Sequence, residues 1–199
     1  MTGMDCSAAM LAYAKRKFNR RGLKGRFLKR DMRRFRLNMI FDNVICMGDS
    51  FSYMAGEDDQ VSYLRFVASM LKEGSLYLVE TETPAYWLDK DETIQRDNWK
   101  CKRGDTVISV RREWYDVNRK KMVGKEKITL RIKEREEEIT HESFHESSIV
   151  LPSKFNDLIL AEGSFRLLCW YKGMGRSSDD NVQREPQGTL FVLQKEEWT

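Results

Sequence analysis

With 41% hydrophobic and 11% aromatic residues, a chain of 199 residues has material for a core of its own, which excludes a disordered chain. No apolar run approaches bilayer-spanning length, and no basic segment precedes an apolar one as in a secretory leader, so the expected setting is the cytoplasm without a membrane. The net charge of +4 is uneven. Residues 15–36 carry twelve Lys or Arg against the single acid Asp31, a local +11 that leaves −7 for the remainder. A block of this kind is either the solvated face of a helix and its loop or a surface for RNA and other polyanions. An organelle transit peptide is a third reading, disfavoured by Asp5 and by the strand-like Arg26-Phe27-Leu28.

Thr2-Gly3-Met4-Asp5 reads as the last residues of a strand reaching its turn. Ser7 fits a helix N-cap, Leu11, Ala14 and Phe18 follow at helical spacing, and Gly22 stops the helix. Arg26–Lys29 is a short strand that ends near Asp31. An Arg-rich loop then leads to residues 41–47. There Val44, Ile45, Cys46 and Met47 form an unbroken apolar run, the pattern of a strand buried on both faces. Gly48, Asp49 and Ser50 turn the chain, with Phe51 and Tyr53 behind them. Open α/β sheets hold their ligands at such carboxyl ends. Glu57–Lys72 has helical spacing at Val61, Leu64, Ala68 and Leu71, with Gly74 as its stop, and Leu76–Val79 is a further apolar strand. The alternation predicts an α/β fold with a largely parallel sheet.

From Pro84 the pattern changes. Val110, Arg112 and Trp114 alternate with Arg111 and Glu113, Tyr115–Asn118 reads as a turn, and Ile128, Leu130 and Ile132 alternate with polar residues. Residues 84–150 are expected to be an antiparallel β insertion within a single domain of residues 1–199, with two or three strands over 98–150. Helical spacing returns from Ser153 to Gly163, and strands at 165–171 and 189–194 close the chain.

His141-Glu142-Ser143-Phe144-His145 matches the zinc-protease pattern and holds both histidines. On a helix the two rings lie roughly 6 Å apart and can share one zinc. The β-rich flanks place this segment in a strand instead, where the separation is about 13 Å at roughly 3.3 Å per residue. No metal site is therefore expected. Cys6, Cys46, Cys101 and Cys169 have no paired ligand spacing and read as reduced thiols. No nucleophile–base set and no phosphate-binding Gly-rich loop can be picked out, so catalytic residues stay unassigned.

Gly3-Met4-Asp5-Cys6-Ser7, followed by Met10-Leu11 and Ala14, resembles the G-x-D-x-S…M-L…A segment of class I S-adenosylmethionine-dependent methyltransferases. Arg30-Asp31-Met32 resembles their G-D-M, Phe41–Ser50 their F-D-x-V fourth strand, Leu71–Ser75 their L-K-P-G-G, and Ala161–Phe165 the A-G-F after the last helix. The matches run in the family's order across nearly the whole chain.

The resemblance implies a Rossmann-like methyltransferase sheet with an antiparallel β insertion before the last helix, and S-adenosyl-L-methionine as cofactor. Asp5 would hold the ribose hydroxyls, and Cys6 and Met10 would line the adenine. Asp31 would accept from its amino group, with the Met32 backbone against the ring. Met47, Gly48 and Asp49 would face the methionine portion. Tyr53, Tyr86, Trp87 and Trp114 would surround a small-molecule acceptor, with the 84–150 segment as its cover. The family's first strand and Gly-x-Gly-x-Gly loop would precede Met1, so the sheet is expected to be N-terminally truncated. The chain would then be a truncated product, one with a misassigned start, or half of a split enzyme whose missing strand comes from self-association or a second chain. The alternative is a catalytically silent methyltransferase-like module that binds RNA through residues 15–36.

Overall fold

The computed structural model describes residues 1–82, 95–172 and 188–196. Its first elements are β1 (Thr2–Asp5), α1 (Ala8–Arg20) and β2 (Arg26–Lys29), with β1 and β2 paired in parallel. Ser7 caps α1 by accepting from the Met10 amide at 3.3 Å. Leu11, Ala14 and Phe18 do form its inner face, but only half-buried, and α1 has no fully buried residue.

β3 (Phe41–Cys46) leads through a 3-10 turn (Ser50–Tyr53) into α2 (Glu57–Ser69) and β4 (Leu71–Glu82). α2 ends three residues earlier than its spacing suggests. Leu71 and Lys72 are already strand, and Gly74 (φ 73°) sits inside β4, where the pairing with β3 shifts register between Phe41 and Asn43. The buried face of α2 is Gln60, Tyr63, Leu64, Val67 and Ala68, about one position round from the expected stripe.

After the antiparallel strands come α3 (Pro152–Glu162), β9 (Phe165–Lys172) and β10 (Gly188–Lys195). Gly163, left-handed at φ 78°, ends α3. The main sheet has the order β3-β4-β10-β9, with β3 and β4 parallel and β10 antiparallel to both its neighbours. α2 and α3 bury one face of it. Tyr77, Val79, Phe191 and Leu193 meet Leu64, Val67, Phe155 and Leu158 there, and the Phe155 and Phe191 rings stack at 4.2 Å.

β3 is not buried on both faces. Of its residues only Cys46 is buried, and Ile45 is 65% exposed. The reason is position: β3 is an edge strand. Among the described residues it pairs only with β4, as β1 pairs only with β2. Ile45 begins an apolar row that crosses the sheet through Leu78, Val192 and Cys169, on the face opposite the main core.

β5 (Gln95–Arg103), β6 (Thr106–Asn118), β7 (Val123–Glu134) and β8 (Glu137–Ser148) form a second, wholly antiparallel sheet in sequential order. It has four strands rather than two or three. Tyr115–Asn118 is not a turn but the irregular end of β6, where register shifts and Asp116 takes φ 53°. β8 ends in buried Ser147 and Ser148, which bring the sheet back to the main body.

Candidate functional site

β3 runs out at Cys46, and Gly48 (φ 67°) and Asp49 (φ 58°) then take left-handed backbone in succession. That conformation costs a non-glycine roughly 1–2 kcal/mol, and Asp tolerates it through local hydrogen bonds. Here the Ser52 hydroxyl lies 2.8 Å from the Asp49 carbonyl and 2.9 Å from its Oδ2. The Gly48 amide donates to the Glu80 carboxylate at 2.8 Å, so the end of β4 holds the turn that follows β3. A strained, buried acid at the carboxyl end of a parallel strand marks a candidate ligand site.

The 3-10 turn that follows has two opposed faces. Phe51 is fully buried, with its ring 5.3 Å from Phe155 and 5.8 Å from Tyr63. Tyr53 points outward, 39% exposed, and its ring centroid lies 5.2 Å from that of His145 on β8. A buried polar knot fixes this junction. Gln60 of α2 donates to the Met54 carbonyl and to Ser148 Oγ, both at 2.8 Å, and the Ser148 hydroxyl lies 3.1 and 3.2 Å from the Met54 and Ser52 carbonyls. Tyr53 sits between those two carbonyl residues, so its backbone is tied to the end of β8.

On the antiparallel sheet, Trp114, Glu126 and His145 face each other across β6, β7 and β8, and Arg112, Ile128 and Ser143 form the next row of the same face. Arg112 Nε donates to the fully buried Glu126 carboxylate at 2.5 Å. His145 Nε2 is 3.1 Å from Ser143 Oγ.

A second group of residues lies at the ends of β1 and β2. Asp5 Oδ1 accepts from the Ser7 amide at 2.7 Å, and its other oxygen has no hydrogen bond among the described residues. The Asp5 carbonyl accepts from the Arg30 amide at 3.1 Å, so the two strand ends are joined. Asp31 gives both oxygens to the Arg33 guanidinium, Oδ2 at 2.6 Å from Nη2 and Oδ1 at 3.0 Å from Nε. Those hydrogen bonds hold its pKa down at about 2.

The structure thus brings Met47, Gly48, Asp49 and Tyr53 onto one turn, and Asp5, Cys6 and Met10 onto the junction of β1 and α1. Met10, Cys6 and Met47 are exposed, and Met32 packs half-buried against the main core. Trp114 does not line a surface: it is 2% exposed and forms a small core with Ile149. Tyr86 and Trp87 lie outside the described residues. The expectation of a strand at His141–His145 holds, since both histidines lie on β8. Sequence reasoning missed His145, Ser143, Glu126, Gln60 and Glu80 as parts of this junction. Only His145 carried a signal, as part of the His-Glu-x-x-His pattern.

Residues 1–74 match the family model described as "Methyltransferase domain". No curated protein matches the sequence. Among solved structures, the chain is similar to an S-adenosylmethionine-dependent methyltransferase from Clostridium acetobutylicum (TM-score 0.76, 18% identity, covering 98% of this chain and 75% of that one). A sugar N-methyltransferase from Streptoalloteichus gives 0.69, 18%, 98% and 71% for the same measures. An amino pentose methyltransferase of calicheamicin biosynthesis from Micromonospora echinaspora, bound to S-adenosylmethionine, gives 0.69, 14%, 98% and 73%.

Proposed function

On the fold of class I S-adenosylmethionine-dependent methyltransferases, which this chain has, we propose that it transfers a methyl group to an amine or hydroxyl of a small molecule. The observation that carries the proposal is Asp5: a carboxylate at the carboxyl end of a parallel strand, steadied by one oxygen on the Ser7 amide, with the other left for a ligand. A carboxylate so placed accepts from vicinal ribose hydroxyls. The small-molecule acceptor is supported by the neighbours whose names specify sugars.

S-adenosylmethionine would supply a methyl group already activated on a sulfonium. The chain's own residues bind and align. Asp5 holds the ribose, while Cys6 and Met10 cover one side of the adenine and the Met32 backbone meets its ring. Asp31 reaches the adenine amino group by giving up one of its bonds to Arg33. Met47, Gly48 and Asp49 take the methionine end, and Tyr53 stands on the acceptor side. The antiparallel sheet covers that side and excludes water. Among the described residues β1 pairs only with β2 and β3 only with β4, so each offers an open edge to a further parallel strand.

Isothermal titration tests the proposal. Wild-type chain should bind S-adenosylmethionine, and Asp5→Asn should weaken it about 10- to 100-fold, as loss of one charge-assisted hydrogen bond worth roughly 1.5–3 kcal/mol requires. No heat from folded protein, or equal affinity for both forms, would refute it.

A binding module for RNA is the second reading, favoured by Lys15, Arg16, Lys17 and Arg20, all exposed on a helix without acids. RNA affinity falling steeply between 50 and about 200 mM salt, with no cofactor binding, would select it.

A further inference from the structure

We propose that His145 takes the proton of the methyl acceptor, which presents an ammonium or hydroxyl group at the seam between Tyr53 and β8. The inference rests on the methyl-transfer reading above and gives its acceptor side a residue. An ammonium has no lone pair for attack, so a basic group beside the acceptor is a chemical need.

Three observations single out His145. It lies where the turn after β3 meets the antiparallel sheet, with the Tyr53 ring 5.2 Å away and inclined at 58°. It is half-buried, so part of the residue still reaches solvent. Its Nε2 is 3.1 Å from the Ser143 hydroxyl. A hydroxyl donates to the lone pair of a neutral imidazole and, after rotation, accepts from an imidazolium, so this one contact serves both protonation states. His141, the other histidine, lies exposed four residues back along β8, opposite Leu130, about 13 Å away at roughly 3.3 Å per residue.

The groups facing His145 suit the task. Tyr53 comes from the 3-10 turn. Glu126 stands opposite in register on β7, fully buried, with its charge paired to Arg112 of β6. On β8 itself, Ser143 and His141 share the face.

The step balances as a proton transfer. The acceptor's N–H replaces the Ser143 hydroxyl at the Nε2 lone pair. That N–H bond breaks, and its electron pair stays on nitrogen as the nucleophilic lone pair. The proton forms a new bond to Nε2 and later leaves to water. With a hydroxyl acceptor the pair remains on oxygen.

The two histidines make the test direct. Histidine Cε1–H signals are followed by NMR at pH 7 while D-glucosamine and then ethanolamine are added, with His141→Asn used for assignment. A saturable shift of the His145 signal by either amine, with His141 unmoved, supports the proposal. Shifts of both histidines alike, or of neither, overturn it. In methylation assays His145→Gln, which keeps a hydrogen bond to Ser143 but takes no proton, should lose about 100-fold or more in rate. It should bind S-adenosylmethionine as wild type does. An unchanged methylation rate in His145→Gln overturns the proposal too. Failure of wild type to bind S-adenosylmethionine is read separately by titration, and strikes the methyl-transfer reading rather than the amine-dependent histidine shift.

Discussion

Gln60 offers the sharpest test of how the two sheets are joined. Its amide is 4% exposed and donates twice, to the Met54 carbonyl and to Ser148 Oγ. Gln60→Met keeps the volume and removes both hydrogen bonds. Each is worth about 1 kcal/mol net, and a buried group left without its partner costs about 1–3 kcal/mol more. The Ser148 hydroxyl still reaches the Met54 carbonyl, which limits that second cost. The expected loss is about 2–4 kcal/mol, a large share of a typical 5–15 kcal/mol. At about 2–4 °C per kcal/mol for a chain of this size, the melting temperature should fall by roughly 4–16 °C. Urea titration by circular dichroism measures the loss, and a Tyr53–His145 ring NOE reports the junction. Ser52 and Met54 flank Tyr53, so slackening the knot should weaken that NOE. A loss below about 0.5 kcal/mol with the NOE intact would refute the role given to Gln60.

Asp31 should titrate near pH 2, and Arg33→Ala should return it toward the ordinary carboxylate value. Because the folded pKa is depressed, the pair's contribution is complete above the unfolded pKa and lost as pH falls from about 4 to 2. The pair is exposed, so its worth is at most about 1 kcal/mol. A wild-type midpoint near 4 by carboxyl NMR would contradict the bidentate geometry. Burial pushes the Cys46 thiol up, with Tyr63 and Tyr77 beside it. Iodoacetamide at pH 8 should therefore label exposed Cys6 and Cys101 and spare Cys46 by mass spectrometry, and labelling of Cys46 at their rate would show the core opening.

Much of the fold was legible because its signals are local. Ser7 at the start of α1 and Gly163 at the end of α3 act through their own backbone neighbours, and the period-two pattern of Ile128, Leu130 and Ile132 needs only the pleat of one strand. The family resemblance was legible for the same reason, since its motifs are turns at strand ends. Local pattern misled at Leu71 and Gly74, where pairing with Phe41 extends β4 back over residues that share helical spacing with α2.

What no local pattern carries is which strands become neighbours. An apolar run such as Val44–Met47 signals burial only if other elements cover both faces, and here the edge position leaves Ile45 in solvent. Composition alone would assign Gln60 to a polar face, Trp114 to an aromatic surface and His145 to a metal motif. Long-range contacts decide otherwise: Gln60 meets Ser148 across 88 residues, Trp114 is sealed under Ile149, and His145 comes to rest against Tyr53. By itself the sequence determined the α/β class, the antiparallel β segment and the acids and small residues that end its strands, because propensity and periodicity act within a few residues. Only the tertiary structure decided what those ends face, because register and sheet order join residues that the chain keeps far apart.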